Sequence, residues 1–515
     1  MNIFFRTNFG NSIGLGNLVR CDRLAHEFRN FGHKCYFIFD TLNQSKLTKF
    51  QSFYLYENQK NINQFSDAKL VLKLLNKYNS RIIILDDQRF NYDWQKIISK
   101  KRVKVISFSE GNKKKQYSDF IINYNPLNFP EVKKEYYVSD KKNCNYLIHP
   151  KYCIISRKKP IKNYNFKKNF YFTFYIGGGG NLSVIKKILY SVVRNKNLKD
   201  CKFLIIIGIF AKNKQIIKNF CKKNKSIEFF ESNQSINFII KNSDFFVGSA
   251  GTTLFETAYF KTPSMMFKLA ANQFSNSESL ENIGQYFYHD MKELKETKKI
   301  VNFLISVKNN YSRIKKMFNN PLLKVDNLGS RRIVNRILNI KKNKKNITYV
   351  KKKNFSNSFS IRKVHDKDIN HYLHSRNLDI NRKNSSCYNL IKKLDHYNWW
   401  FNTRRKSYLL KRGENKILYF YEEKLFSING KDFLLSGWFA CTKNCQARDI
   451  LYALNWQRKD NKNVNWISFI KNNNILSLKM SKYIGWNKLN EFNSVVRRVK
   501  KKFNLKNKKF TFFYR

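Results

Sequence analysis

Twice along this chain a short apolar run ends in glycines and opens into a helical pattern. The first run is Ile3 to Phe5, followed by Ile13-Gly14-Leu15-Gly16-Asn17-Leu18-Val19-Arg20-Cys21 and an amphipathic stretch to about Phe31. The second is Asn169 to Ile176, closed by Gly177 to Gly180. Strand, glycine turn and helix, in that order, bring backbone N–H groups close to a phosphate or a sugar. Asn17 follows the second glycine of the first turn and stands where the helix begins, placed to face a ligand.

Around each turn the same alternation continues. Cys35–Phe39, Ile82–Leu85, Val103–Phe108 and Phe120–Asn123 read as further strands of the first half. After a break near Pro150 to Tyr164, strands are expected at Phe203–Gly208, Ile227–Phe230, Phe245–Gly248 and Ser264–Phe267, and helical patterns from Thr297 to Lys341 close the second half. Apolar runs alternating with helices predict parallel sheets covered on both faces. The expected architecture is α/β, with two Rossmann-like domains at 1–155 and 165–340 and a ligand in the cleft between them. A basic linker is expected at 341–356, and 357–515 should form an α+β domain with a mostly antiparallel sheet.

Composition narrows the partners. The net charge of +65 accompanies abundant Lys, Asn, Ile, Phe and Tyr, all with A/T-rich codons, and the lysines spread along the whole chain. Nucleic acid is therefore not the expected partner, whereas an anionic substrate would be attracted. No run approaches the ~18 apolar residues of a membrane span, and Arg6 and Asn8 interrupt the apolar start. A cytoplasmic protein is expected. The nine cysteines are scattered, and Cys441 with Cys445 lacks a second pair, so no metal is implied.

Several motifs together resemble the UDP-sugar hydrolases of pseudaminic acid biosynthesis, which share the GT-B arrangement of two-domain glycosyltransferases such as MurG. They are the Gly14–Cys21 turn, Ile148-His149-Pro150-Lys151-Tyr152-Cys153-Ile154-Ile155, the four glycines at 177–180, and Gly248-Ser249-Ala250-Gly251-Thr252-Thr253-Leu254-Phe255-Glu256, followed by Pro263-Ser264 and Ala271-Asn272-Gln273. The resemblance implies release of UDP from a UDP-linked diacetamido-trideoxyhexose. It places Gly14, Gly16, Arg20, Gly178, Ser249, Gly251, Thr252, Glu256, Asn272 and Gln273 around the substrate, with Glu256 accepting the ribose hydroxyls and Asn272 and Gln273 suited to an acetamido sugar. Other enzymes of such a pathway become possible partners.

The family carries a histidine where this chain has Asn17. Asparagine can orient a water but cannot take its proton, and general-base catalysis is worth roughly 10²–10⁴-fold. The catalytic candidates are then Asn17, Asp86 and Asp87, with an aspartate activating water. The alternative is a glycosyltransferase or a non-hydrolytic nucleotide-sugar-binding protein.

The last part resembles a GNAT-type N-acetyltransferase. The strand and helix order, Ile361-Arg362 to Asp368, Trp399-Trp400-Phe401, and Asn472 to Trp486 carry the likeness. It implies acetyl-CoA as cofactor, with Arg448, Asn474 and Ser477 as its contacts. The family's glycine-containing phosphate turn is replaced by Lys443-Asn444-Cys445-Gln446-Ala447-Arg448-Asp449.

Overall fold

The computed structural model describes all residues except 11–13, 43–46, 58–61, 110–114, 127–138, 156–165, 167–168, 232–235, 269–276, 340–357, 386–387, 460–463 and 506–508. The expected linker, and Asn272 with Gln273, lie outside the described residues. The chain divides into two compact units, Met1–Lys344 and Lys345–Arg515.

The first unit contains two parallel sheets. One comprises β1 (Asn2–Thr7), β2 (Lys34–Phe39), β3 (Gln51–Tyr54), β4 (Ile82–Asp86), β5 (Lys104–Phe108), β6 (Phe120–Asn123) and β7 (Asn145–Ile148), in the order β3-β2-β1-β4-β5-β6-β7. The other comprises β8 (Phe170–Tyr175), β9 (Cys201–Ile207), β10 (Ile227–Glu231), β11 (Phe245–Ser249), β12 (Ser264–Lys268) and β13 (Phe287–Asp290), in the order β10-β9-β8-β11-β12-β13.

Burial on both faces explains the continuous apolar runs. From β1, Ile3 and Phe5 enter one core with Leu24, Ala25 and Phe28 of the Gly16–Asn30 helix. Phe4 points the other way, into a core with Val71, Leu75 and Trp94. The Gly329–Ile337 helix returns to the first sheet, where Ile333, Val334 and Ile337 join the core beside the Gly16–Asn30 helix. Gly329 is required there, because a Cβ would stand 1.9 Å from the Cys153 carbonyl oxygen.

Three strands escape the sequence pattern: β3, β7 and β13, each at the edge of its sheet. An edge strand need not carry a full apolar run, and β3 reads only Gln-Ser-Phe-Tyr. The pattern from Thr297 onward is three helices, Thr297–Asn309, Tyr311–Asn319 and Gly329–Ile337.

The second unit is built on one mixed sheet: β14 (Phe359–Lys363), β15 (Lys406–Arg412), β16 (Asn415–Ile428), β17 (Lys431–Ala440), β18 (Asn465–Lys471), β19 (Asn487–Lys488) and β20 (Phe510–Tyr514), ordered β14-β15-β16-β17-β18-β20-β19. All neighbours are antiparallel except β17 and β18. The Ala447–Lys459 and Ile475–Tyr483 helices share one core through Ile450, Ala453 and Met480, and the Ser494–Lys502 helix contributes Val496 and Val499 to another.

Candidate functional site

In each parallel sheet the strand order reverses beside the first strand, between β1 and β4 and between β8 and β11. Loops at such switch points diverge and leave a crevice at the carboxyl ends of the strands. Both glycine turns leave from these points. Gly14 adopts φ +82° and Gly177 φ +71°, left-handed values that favour glycine. The turns also approach one another: a Cβ on Gly178 would lie 3.2 Å from Leu15, and one on Gly16 would lie 4.0 Å from Thr252 Oγ1.

On the first side, Asn17 is half-buried and fully placed. Its Nδ2 donates to the Asp86 carbonyl oxygen at 3.3 Å, and its Oδ1 accepts from Arg20 Nη2 at 3.2 Å. Arg20, expected to face substrate, is instead buried against Asp86, with Nε and Nη2 each on one carboxylate oxygen. Its Nη1 donates to the Tyr124 hydroxyl at 2.9 Å, and its guanidinium lies 4.8 Å from the Phe108 ring centroid. Cys21 sits beneath, Sγ 3.6 Å from Asp86 Oδ2. Burial, and after it the Asp86 charge, push this thiol well above its ordinary pKa, so it is no nucleophile.

Neither expected carboxylate base stands alone. Asp86 is held by Arg20, and Asp87 by Arg89, whose Nε lies 3.0 Å from Oδ1 and Nη2 2.5 Å from Oδ2. Both carboxylates are thus engaged by guanidinium groups of the chain itself.

On the second side, β11 ends at Ser249, and Ala250, Gly251 and Thr252 lead into the Thr253–Phe260 helix. A Cβ on Gly251 would meet none of the described residues within 4 Å, so among them this turn is open on that side. Ser249 is buried, with its Oγ 3.1 Å from where a Gly177 Cβ would stand. Glu256, one turn into the helix, is buried and accepts from Arg23 Nη2 at 2.8 Å. Arg23 also donates to the Ile154 carbonyl at 3.1 Å. One Glu256 oxygen is thus already engaged by the first half.

Sequence reasoning missed Arg23 and a second set of charges. Arg6, next to the last residue of β1, is fully buried and pairs with Asp67 at 2.7 Å and Asp40 at 2.6 Å. Arg89 bridges Asp40 and Asp87, while Trp94 Nε1 and the Tyr56 hydroxyl donate to Asp67 at 2.8 and 3.2 Å. Burial alone lowers the Arg6 pKa, but the neighbouring aspartates more than offset this and raise it. The available signal was an arginine inside an apolar strand, which demands buried carboxylates. Among the described residues, no group of three or more His, Cys, Asp or Glu could hold a metal ion, and no helix is long and apolar enough to cross a membrane.

In the second unit, β17 and β18 pair only from Phe433–Asn465 to Leu435–Ile467, so the strands part beyond that point. The buried Ser468 Oγ on β18 has no hydrogen-bond partner among the described residues. Of the expected CoA contacts, Arg448 is exposed at the start of the Ala447–Lys459 helix. Asn474 Oδ1 caps the Ile475–Tyr483 helix by accepting the Ser477 N–H at 3.3 Å, and Ser477 is buried.

The turn expected to cradle the CoA pyrophosphate is filled from within. The fully buried Asp449 accepts the Gln446 N–H at 2.8 Å through Oδ2 and pairs with Arg412 through Oδ1. The Asn444 and Cys445 N–H groups bond to Thr442 Oγ1 at 3.1 Å and Thr442 O at 3.4 Å. Three N–H groups of the turn are thus used within the chain.

Uncharacterized protein MJ1062 of Methanocaldococcus jannaschii is 21% identical over 519 residues, spanning 95% of this chain and 97% of its own. Among solved structures, the UDP-GlcNAc 2-epimerase of Neisseria meningitidis bound to UDP-GlcNAc is 10% identical, covering 66% of this chain and 100% of its own with a TM-score of 0.44. The yncA putative acetyltransferase of Salmonella typhimurium, with its cofactor acetyl-CoA, is 9% identical, covering 31% of this chain and 92% of its own with a TM-score of 0.23. Residues 173–337 match the family model of the glycosyltransferase family 28 C-terminal domain, and this stretch has a glycosyltransferase-like fold.

Proposed function

We propose that the first unit binds and processes a nucleotide sugar, a UDP-linked acetamido sugar, at the paired glycine turns. The observation that carries this reading is the Ser249–Thr252 turn. It leaves a parallel sheet at its switch point, opens a helix and is open at Gly251 among the described residues. Backbone N–H groups at a helix start, reinforced by the helix dipole, suit a diphosphate. Ser249 and Thr252 hydroxyls would add to them, and Glu256 would offer an oxygen to the ribose.

In the hydrolytic form of this reading, the protein releases UDP from a diacetamido-trideoxyhexose. Asn17 orients a water towards the sugar, held in place by its bonds to Asp86 O and Arg20. A second reading, binding or sugar transfer without hydrolysis, is favoured by the ion pairs on Asp86 and Asp87. A glycosyltransferase would instead present a hydroxyl acceptor in place of water.

The test is Gly251→Leu, whose Cβ would meet none of the described residues within 4 Å. UDP titrated calorimetrically should bind the wild type, and the variant should lose about tenfold or more in affinity with an unchanged melting transition. Equal UDP affinity in the two proteins would overturn the site. UDP release from UDP-acetamido sugars separates the two readings: release supports hydrolysis, and binding without release supports the second.

The second unit we read as acetyltransferase-like, on its mixed sheet and the parting of β17 from β18.

A further inference from the structure

We infer that the second unit does not take up coenzyme A, because its own Asp449 occupies the seat a pyrophosphate would need. This rests on the acetyltransferase-like reading of that unit and concerns only its anion seat.

A pyrophosphate arriving at a helix start needs several backbone N–H groups with no other acceptor. Here Asn444, Cys445 and Gln446 direct theirs to Thr442 and Asp449, which leaves only the Ala447 and Arg448 N–H groups at the helix start. Glycine at 446 and 448 would let an anion approach the main chain, but Gln446 and Arg448 stand there. The decisive group is the Asp449 carboxylate. It is wholly buried, sits in the first turn of the Ala447–Lys459 helix, and is neutralised by Arg412 from the end of β15. It makes the charge-assisted bonds that a phosphate oxygen would make. A bound pyrophosphate would have to displace it, or lie beside a buried negative charge, and both outcomes oppose binding.

The cations do not reverse this. Arg412 is committed to Asp449. Lys443 and Arg448 are exposed and act on an anion through solvent, where such attractions are weak. The parting of β17 from β18 therefore leads to a turn in which three N–H groups are already bonded within the chain.

Removing Asp449 should expose the seat. In Asp449→Ala the Gln446 N–H and the Arg412 guanidinium both lose their acceptor, and an incoming phosphate would satisfy both. The experiment titrates desulfo-CoA into the full chain at about 150 mM salt to screen the diffuse positive charge. Excess UDP is included in a parallel series, so that binding in the first unit is recognised by competition. Wild type is expected to show no UDP-resistant saturation up to about 1 mM, and Asp449→Ala to bind at least about tenfold more tightly than that limit. Should Asp449→Ala not fold, Asp449→Asn, which removes the charge with little change of shape, is read in the same way. UDP-resistant saturation of the wild type below that limit would overturn the inference and leave the acetyltransferase-like reading standing. A folded variant that still fails to bind would show that Asp449 is not what keeps the cofactor out, and the inference as stated would fall.

Discussion

Arg23 and Glu256 meet at 2.8 Å, although 233 residues separate them in the chain. Each lies on the helix that follows a switch-point turn, one from each sheet of the first unit. Three residues before Arg23 on the same helix, Arg20 turns into its own half to hold Asp86. A parallel contact runs from Tyr124, bonded to Arg20, to Phe255, their rings 4.9 Å apart edge to face. The two helices that border the proposed nucleotide site are thus also the ones that tie the two halves together.

Arg23→Ala should therefore destabilise the first unit by about 3 kcal/mol, since it strands a buried carboxylate. Glu256→Gln alone should cost less, and the double variant less than the sum of the two. Urea denaturation of all four proteins measures the coupling. Additive losses would show that the pair contributes nothing of its own.

The Arg6 cluster makes a sharper demand. Arg6→Met leaves Asp40 and Asp67 buried with one cation removed, and the expected loss is on the order of 3–5 kcal/mol. A midpoint shift in urea worth under about 1 kcal/mol would mean that water enters the cluster and solvates it.

Asn17→His tests the chemistry. A histidine there would stand close to Arg20, whose charge would keep the imidazole neutral and able to accept a proton near pH 7. Release of UDP from a UDP-acetamido sugar should rise by about tenfold or more. An unchanged rate would remove residue 17 from the reacting centre.

The second unit should weaken in mild acid. Burial lowers the His396 pKa to about 4, only partly opposed by its bond to the Ile369 carbonyl. Burial, and next Lys416, bring His371 to about 4 as well. The unfolded chain binds these protons near pH 6.5 and the folded chain only near 4, so stability is complete above 6.5 and falls as pH drops through that window. His396 alone accounts for roughly 3 kcal/mol by pH 4. Melting followed from pH 7.5 to 5 should show the decline, and His396→Gln, which keeps a donor for Ile369, should flatten it. A slope that is the same in both proteins would exclude His396 as its source.

How far the sequence could be read depended on the range of each signal. Ile3–Phe5 and Phe203–Gly208 declare themselves because a strand buried on both faces must be apolar throughout. The edge strands β3, β7 and β13 have no such requirement and stayed hidden. Gly14 and Gly177 were legible because their backbone conformations favour glycine. The positions of Ser249, Gly251 and Thr252 at a strand end and helix start followed from local pattern alone.

Partners were another matter. Nothing near Arg20 indicates that it binds Asp86, nothing near Glu256 points to Arg23, and nothing near Asp449 points to Arg412. Taken by itself, the sequence determined where the buried strands, the glycine turns and the helices that follow them lie, because periodicity and backbone preference act within a few residues. The tertiary structure alone decided which charges meet. Burying a charge requires an opposite charge at hydrogen-bonding distance, and only the packed sheets and helices bring residues so far apart in the chain to that distance.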